Sequence, residues 1–217
     1  MHTVRTLQHS VLQVDLGAID HNCTVIRNHI GKHCKLCAVV KADGYGLGAV
    51  RVISSLQNHA DLLAVYSPEE AGTLVNRGLD TPLLILAPVH SVDRFNPIFK
   101  GLSEGVIQLV VHGKKHCEAL QVMAARYGIC ISVQIKVDTG LHRGGCEMGD
   151  ALSIIEAIQR SEYLELRGMM THFVSAVHDE ALTRTQHNRL EQIVQSLSTP
   201  LPSSFLIHEA NTAAMVQ

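Results

Sequence analysis

In Val39-Val40-Lys41-Ala42-Asp43-Gly44-Tyr45-Gly46-Leu47-Gly48 a single lysine stands between an apolar run and three glycines. The preceding Lys35-Leu36-Cys37-Ala38-Val39-Val40 has the length and composition of a buried strand. Leu47, Val50, Ile53 and Leu56 then recur at helical spacing. Lys41 is therefore predicted at a strand end, where the glycines let the backbone turn tightly or approach a ligand closely. A lysine amine whose charge is suppressed by desolvation forms a Schiff base with an aldehyde. The same residues also suit a lysine that snorkels from a strand end into water. GYGLG is not a P-loop, which requires Gly-Lys followed by Ser or Thr.

Further polar residues fall just after later apolar runs. Lys136, Asp138, Thr139, His142 and Arg143 lie at the end of the run Cys130–Val137, and Thr171 and His172 close Leu164–Thr171. His208, Asn211 and Thr212 follow Ser204–Ile207, and Tyr45 and Tyr66 stand beyond the first and second runs. Lysine, arginine, histidine and small hydrogen-bonding residues on one face suit an anionic, phosphate-bearing ligand. Taken singly they read more simply: Asp138 and Arg143 as a surface ion pair, His172 as a core histidine, Thr212 as a helix cap.

The elements that must position these residues alternate along the chain. Helices are predicted over Asp15–Gly31, Leu47–Asn58, Ser67–Gly78, Lys114–Tyr127, Asp150–Arg160 and Glu180–Leu197, with a poor one over Ser91–Lys100 interrupted by Pro97. Ala18, Asn22, Val25, Ile26, His29 and Ile30 share one face of the first. Ser67-Pro68-Glu69-Glu70 is a capping-box start. Strands are predicted at Asp61–Tyr66, Leu83–Ala87 and Ile107–Val111 in addition to those above. Such alternation is the sequence form of parallel βαβ units. No GxGxxG follows the first strand, which disfavours a dinucleotide-binding open sheet and leaves a barrel, whose chemistry sits at the C-terminal strand ends.

Composition excludes several classes. With 46% hydrophobic and 18% charged residues over 217 positions, a globular fold is expected. A formal charge of −2 and 4% aromatics argue against nucleic acid and anionic membrane as partners. No apolar run is long enough to span a bilayer, and MHTVRTLQHSVLQVD lacks a signal-peptide core, so a cytoplasmic location is expected. The six cysteines then read as free thiols. Cys34 and Cys37 have CxxC spacing but would fall on opposite faces of a strand. His112, His116 and Cys117 could crowd one helix end, yet no second ligand pair follows at zinc spacing, and no metal site is assigned.

VVKADGYGLG resembles the pyridoxal-phosphate lysine motif of the alanine racemase family. VDLGAIDHN (Val14–Asn22), KVDTGLHRGG (Lys136–Gly145), MMTHF (Met169–Phe173) and HEANTAA (His208–Ala214) are similar to further stretches of that family, in the same order. The resemblance implies pyridoxal 5'-phosphate held through an aldimine to Lys41, with interconversion of L- and D-alanine or another small amino acid as the activity. It implies Tyr45 and Thr212 at the phosphate, Asn211 at the cofactor, His172 beside its ring, and Arg143 near cofactor and substrate carboxylate. Lys136 matches a lysine that is carbamylated in some members. Family members continue with an eighth strand and a β-rich domain whose tyrosine serves the partner subunit. The expectation is therefore a (β/α)8 TIM-type barrel lacking its last strand, about seven β/α units over residues 1–217, with no C-terminal β domain. The open edges predict self-association or a partner chain covering the gap. A homologue that binds the cofactor without racemising, or an inactive fragment, is the alternative. Tyr66 has no counterpart in the resemblance.

Overall fold

A computed structural model describes residues 11–198, 201–202 and 204–216. Its strands are β1 (Cys37–Val39), β2 (Leu62–Val65), β3 (Leu83–Ile85), β4 (Ile107–Val111), β5 (Ile131–Lys136), β6 (Leu164–Met170) and β7 (Leu206–His208). All pair in parallel, in chain order, as one curled sheet. The intervening segments are α1 (Leu16–Ile30), α2 (Lys41–Tyr45), α3 (Ala49–Leu56), α4 (Pro68–Val75), α5 (Phe99–Ser103), α6 (Lys114–Tyr127), α7 (Met148–Gln159), α8 (Glu180–Gln195) and α9 (Thr212–Met215).

Strand alternation divides the apolar residues into two cores. Leu63, Val65, Leu83, Ile85, Leu109, Val111, Val133 and Ile135 face the outer helices in the large cluster. Leu62, Ala64, Leu84, Val110 and Met170 fill the concave side as a small second cluster. Two buried faces explain why the strands read as nearly continuous apolar runs rather than alternating ones.

Several boundaries follow their local chemistry. Asp15 caps α1 by accepting the Ala18 N–H at 3.1 Å, and Gly31 ends it at φ 74°. Ser67 and Glu70 form the reciprocal capping box of α4, with Pro68 at its first turn. The segment expected as a poor helix over Ser91–Lys100 is instead turns, with a helix only from Phe99. Asp93 and Asn96 side chains accept the Phe95 and Ile98 N–H groups at 2.8 and 3.1 Å, offering the backbone an alternative to helix. In α1, Ile19, Cys23, Ile26 and Ile30 face inward, while Ala18, Asn22, Val25 and His29 are exposed. That helix packs against α3, and Arg27 reaches the Asp61 carboxylate at 2.8 Å, which sets the stripe. No helix among the described residues is long and apolar enough to cross a membrane.

Candidate active site

Lys41 stands where its motif places it. The Val40 N–H donates to Ala64 O at 2.8 Å, so the β1 ladder ends one residue before the lysine. The chain then makes a left-handed turn: Ala42 (φ 52°, ψ 50°), Asp43 (52°, 49°), Gly44 (64°, 38°) and Tyr45 (φ 56°). Left-handed helix costs an L-residue about 1–2 kcal/mol each, and three of these four carry a Cβ. Gly44 is required for a second reason, since a Cβ there would meet the Ala49 backbone at 3.2 Å.

Hydrogen bonds from both sides hold the turn. The Asp43 carboxylate accepts the Ala49 N–H at 2.8 Å. Glu70 accepts the Ala42 N–H at 2.7 Å through one oxygen and the Tyr66 N–H at 2.7 Å through the other. Backbone strain surrounded by such over-determination is a feature of functional sites.

The loop after β5 is equally constrained. Asp138 N–H donates to Cys146 O and Cys146 N–H to Lys136 O, at 2.9 and 2.8 Å, closing the loop at its base. The Asp138 carboxylate accepts the Gly140 and His142 N–H groups at 3.0 Å each, so it organises its own loop rather than pairing with Arg143. The Lys136 amine donates to Arg143 O at 2.7 Å. Burial lowers the Lys136 pKa, and Arg143 and Lys41 lower it further against the opposing pull of Asp138. Burial likewise lowers His172, assisted by Arg143, Lys136 and Lys41. These four groups therefore share one electrostatic environment, with positive charge in excess. An anion placed there relieves the mutual repulsion.

His172 owes its aim to a bulge. Val133 pairs with Leu166 but Gln134 pairs with Gly168, so Arg167 is an extra residue in β6. Before the bulge Leu164 and Leu166 face the helices, and after it Gly168 and Met170 face the concave side. Strict alternation without the bulge would turn Gly168, Met170 and His172 outward.

Two buried polar chains brace the site. Gln186 of α8 donates from Nε2 to Thr139 Oγ1 and to His172 O, both at 3.2 Å, and accepts the Val174 N–H at 3.0 Å. Thr139 and Thr171 hydroxyls pair at 2.7 Å, and Thr171 donates to Val137 O at 2.9 Å. On the concave side Gln134 donates to Gln108 Oε1 at 2.6 Å, and its own Oε1 accepts from His208 Nε2. Burial holds His208 down to about 4, so the ring is neutral with its proton on Nε2.

The remaining predicted residues lie at the same sheet end. Tyr45 is 64% exposed, with its ring centroid 6.0 Å from the Lys41 amine. Asn211 caps α9 by accepting the Ala214 N–H at 3.0 Å, a role first considered for Thr212, which is exposed at the first position of that helix. Tyr66 is 55% exposed.

Sequence reasoning missed Glu70, Gln186 and His112 as parts of this end. His112 follows β4; its Nε2 donates to Leu86 O at 2.9 Å, and burial followed by Lys136, His116 and His90 holds it to about 4. A Cβ on Gly144 would approach His112 Nδ1 at 3.3 Å, so the Arg143 loop rests on this ring. The signal available was position, since His112 follows β4 as Lys41 follows β1. Among the described residues no group of three or more metal-ligating side chains occurs.

Comparison with known proteins agrees with this geometry. The chain is 37% identical over 207 residues to alanine racemase 2 of Oceanobacillus iheyensis, covering 94% of this chain and 51% of that protein. It superposes on alanine racemase of Clostridium difficile with a TM-score of 0.80 at 27% identity, covering 92% of this chain and 55% of the other. A histidine racemase of Leuconostoc mesenteroides gives a TM-score of 0.74 at 26% identity, covering 92% and 52%. The chain spans about half the length of the relatives it matches. Residues 14–217 match the family described as alanine racemase, N-terminal domain, and the chain belongs to that family.

Proposed function

We propose that the chain binds pyridoxal phosphate covalently at Lys41 and serves the racemisation of alanine or another small amino acid. The observation that carries this reading is the gathering of Lys41, Lys136, Arg143 and His172 at the C-terminal end of the sheet, with the Lys136 amine on Arg143 O at 2.7 Å. The fit is chemical: a strand-end lysine for the aldehyde, and excess positive charge for phosphate and carboxylate. When bound, the cofactor supplies an electron sink that acidifies the substrate Cα–H.

The chain's own residues do the rest. The Lys41 amine takes and returns the proton at Cα. Arg143 binds carboxylate, and His172, whose pKa is lowered by burial and then by its cationic neighbours, borders the ring. Tyr45 and Thr212 hold the phosphate end, and Asn211 lies at the cofactor. Lys136, whose pKa burial lowers, is the lysine open to carbamylation, in which the amine adds to carbon dioxide and loses a proton. That change would place a carboxylate beside Arg143. Borohydride reduction of the loaded protein followed by peptide mapping tests the proposal. Label on Lys41 supports it; label on another lysine, or none on the folded protein, overturns it.

A further inference from the structure

We infer that Glu70, on a different β/α unit from the lysine, is the positioning residue that holds Lys41 in place. The inference rests on the reading of Lys41 as the cofactor lysine. Its one carboxylate spans two strand ends. Oε1 accepts the N–H of Ala42, the residue after Lys41, at 2.7 Å, and Oε2 accepts the N–H groups of Tyr66 and Ser67 at 2.7 and 3.3 Å. Those three bonds hold the side chain, and the Glu70 N–H donates to Ser67 Oγ at 3.4 Å within the capping box. Its backbone is fixed by α4, whose Ala71, Gly72 and Leu74 are buried.

The need for such a clamp comes from the backbone. Ala42 and Asp43 occupy the left-handed region that their Cβ atoms disfavour, and Gly44 and Tyr45 continue it. A run of four such residues relaxes unless both ends are tied. Asp43 ties the distal end to Ala49, and Glu70 ties the proximal end, next to Lys41. The Gly44 N–H also donates to Val40 O at 2.9 Å across the turn, so the Ala42 bond is the second tie beside the lysine, and without it the lysine's ψ and its amine are less restrained. A capping box accounts for the bonds to Ser67; it does not require the bond to Ala42. Glu70 thus couples the α4 start to the reactive lysine.

The test separates these two roles with two variants. Glu70→Ala removes both contacts; Ser67→Ala weakens the cap of the same helix and leaves the Ala42 bond. Amide exchange of Ala42, followed by NMR without cofactor, should speed about ten- to hundredfold in Glu70→Ala, the equivalent of one charge-assisted hydrogen bond. It should stay within about twofold of native in Ser67→Ala. Pyridoxal phosphate affinity, read from absorbance of the bound chromophore, should weaken about tenfold or more in Glu70→Ala alone. Should Glu70→Ala not fold, Glu70→Met keeps the length and volume of the side chain but accepts neither N–H, and must show the same two changes. Unchanged Ala42 exchange, equal cofactor affinity, or an equal response in Ser67→Ala overturns the inference. If the native chain takes no label at Lys41, the functional reading fails, and Ala42 exchange alone decides the role of Glu70.

Discussion

Racemisation needs a proton removed on one face of the substrate Cα and delivered on the other, so two positioned acid–base groups are required. Lys41 supplies one. Of the four tyrosines, Tyr127 packs edge-on against Phe99 with centroids 5.1 Å apart, and Tyr163 lies just before β6, at the opposite sheet end. Tyr45 is assigned to the phosphate, which leaves Tyr66 as the tyrosine at the correct end. Among the described residues no hydrogen bond orients its hydroxyl toward Lys41, and lacking one acid–base group typically costs about 10²–10⁴-fold in rate. The 217-residue chain is therefore expected to exchange the α-proton of L-alanine faster than it inverts the centre. Incubation with cofactor in D2O, following deuterium uptake and chirality together, reads both rates. Inversion keeping pace with exchange would reveal a second base, and Tyr66→Phe would then be the first variant to make.

Elements decide where those residues aim. The β6 bulge turns Gly168 and Met170 to the concave side, and Gly168 leaves room there for β7. A Cβ on Gly168 would lie 2.6 Å from Leu206 O and 3.2 Å from Gln134 Oε1. The first neighbour is backbone and cannot yield without moving β7. Gly168→Ala is expected to cost roughly 1–3 kcal/mol by overpacking, and to break the His208–Gln134 hydrogen bond. Thermal denaturation measures the first effect and the His208 ring resonances the second; a native-like melting point refutes the assignment. Gln186→Leu acts from the other side of the sheet. It leaves the Val174 N–H and His172 O without their partner, a loss of about 1–3 kcal/mol. Cofactor binding should weaken as the His172 segment loosens, measured by absorbance titration.

At the scale of the whole molecule, two histidines link stability to pH. Burial holds His112 and His208 to about 4, below the ordinary 6.5. The unfolded chain therefore binds more protons between those values, and stability falls as pH drops from about 6.5 toward 4. Each pH unit in that window costs up to about 1.4 kcal/mol per fully neutral histidine. Urea midpoints across this range should fall, and His208→Gln should flatten the profile; a flat native profile refutes the linkage. A second expectation concerns the sheet edges. Among the described residues β1 and β7 each pair on one side only, with Val39 and Ile207 40% and 46% exposed. Unpaired parallel edges invite association. We propose that the 217-residue chain self-associates unless another polypeptide covers those edges. Sedimentation over a concentration series tests this, and a monomer throughout refutes it.

The sequence by itself determined the alternation of elements, because apolar strands of three to seven residues and capped helices are local patterns. It also determined Lys41, Lys136, Arg143 and His172 as residues at strand ends, since strand boundaries are legible from composition. The capping box at Ser67–Glu70 was readable for the same reason. What it could not determine was direction. Leu164–Met170 carries Glu165, Arg167 and Gly168 among its apolar residues, and the single extra residue that reverses its faces is fixed only by pairing with β5. Among the described residues the Gln186 side chain has no partner within its own helix, because Thr139 and His172 are distant in sequence and meet it only when β5, β6 and α8 pack. Glu70 looked like a helix-start residue and nothing more. Its bond to Ala42 exists because β1 and β2 pair in parallel and in register, bringing residues 28 positions apart to the same sheet end. Local energetics select the elements; long-range pairing decides which side chains converge.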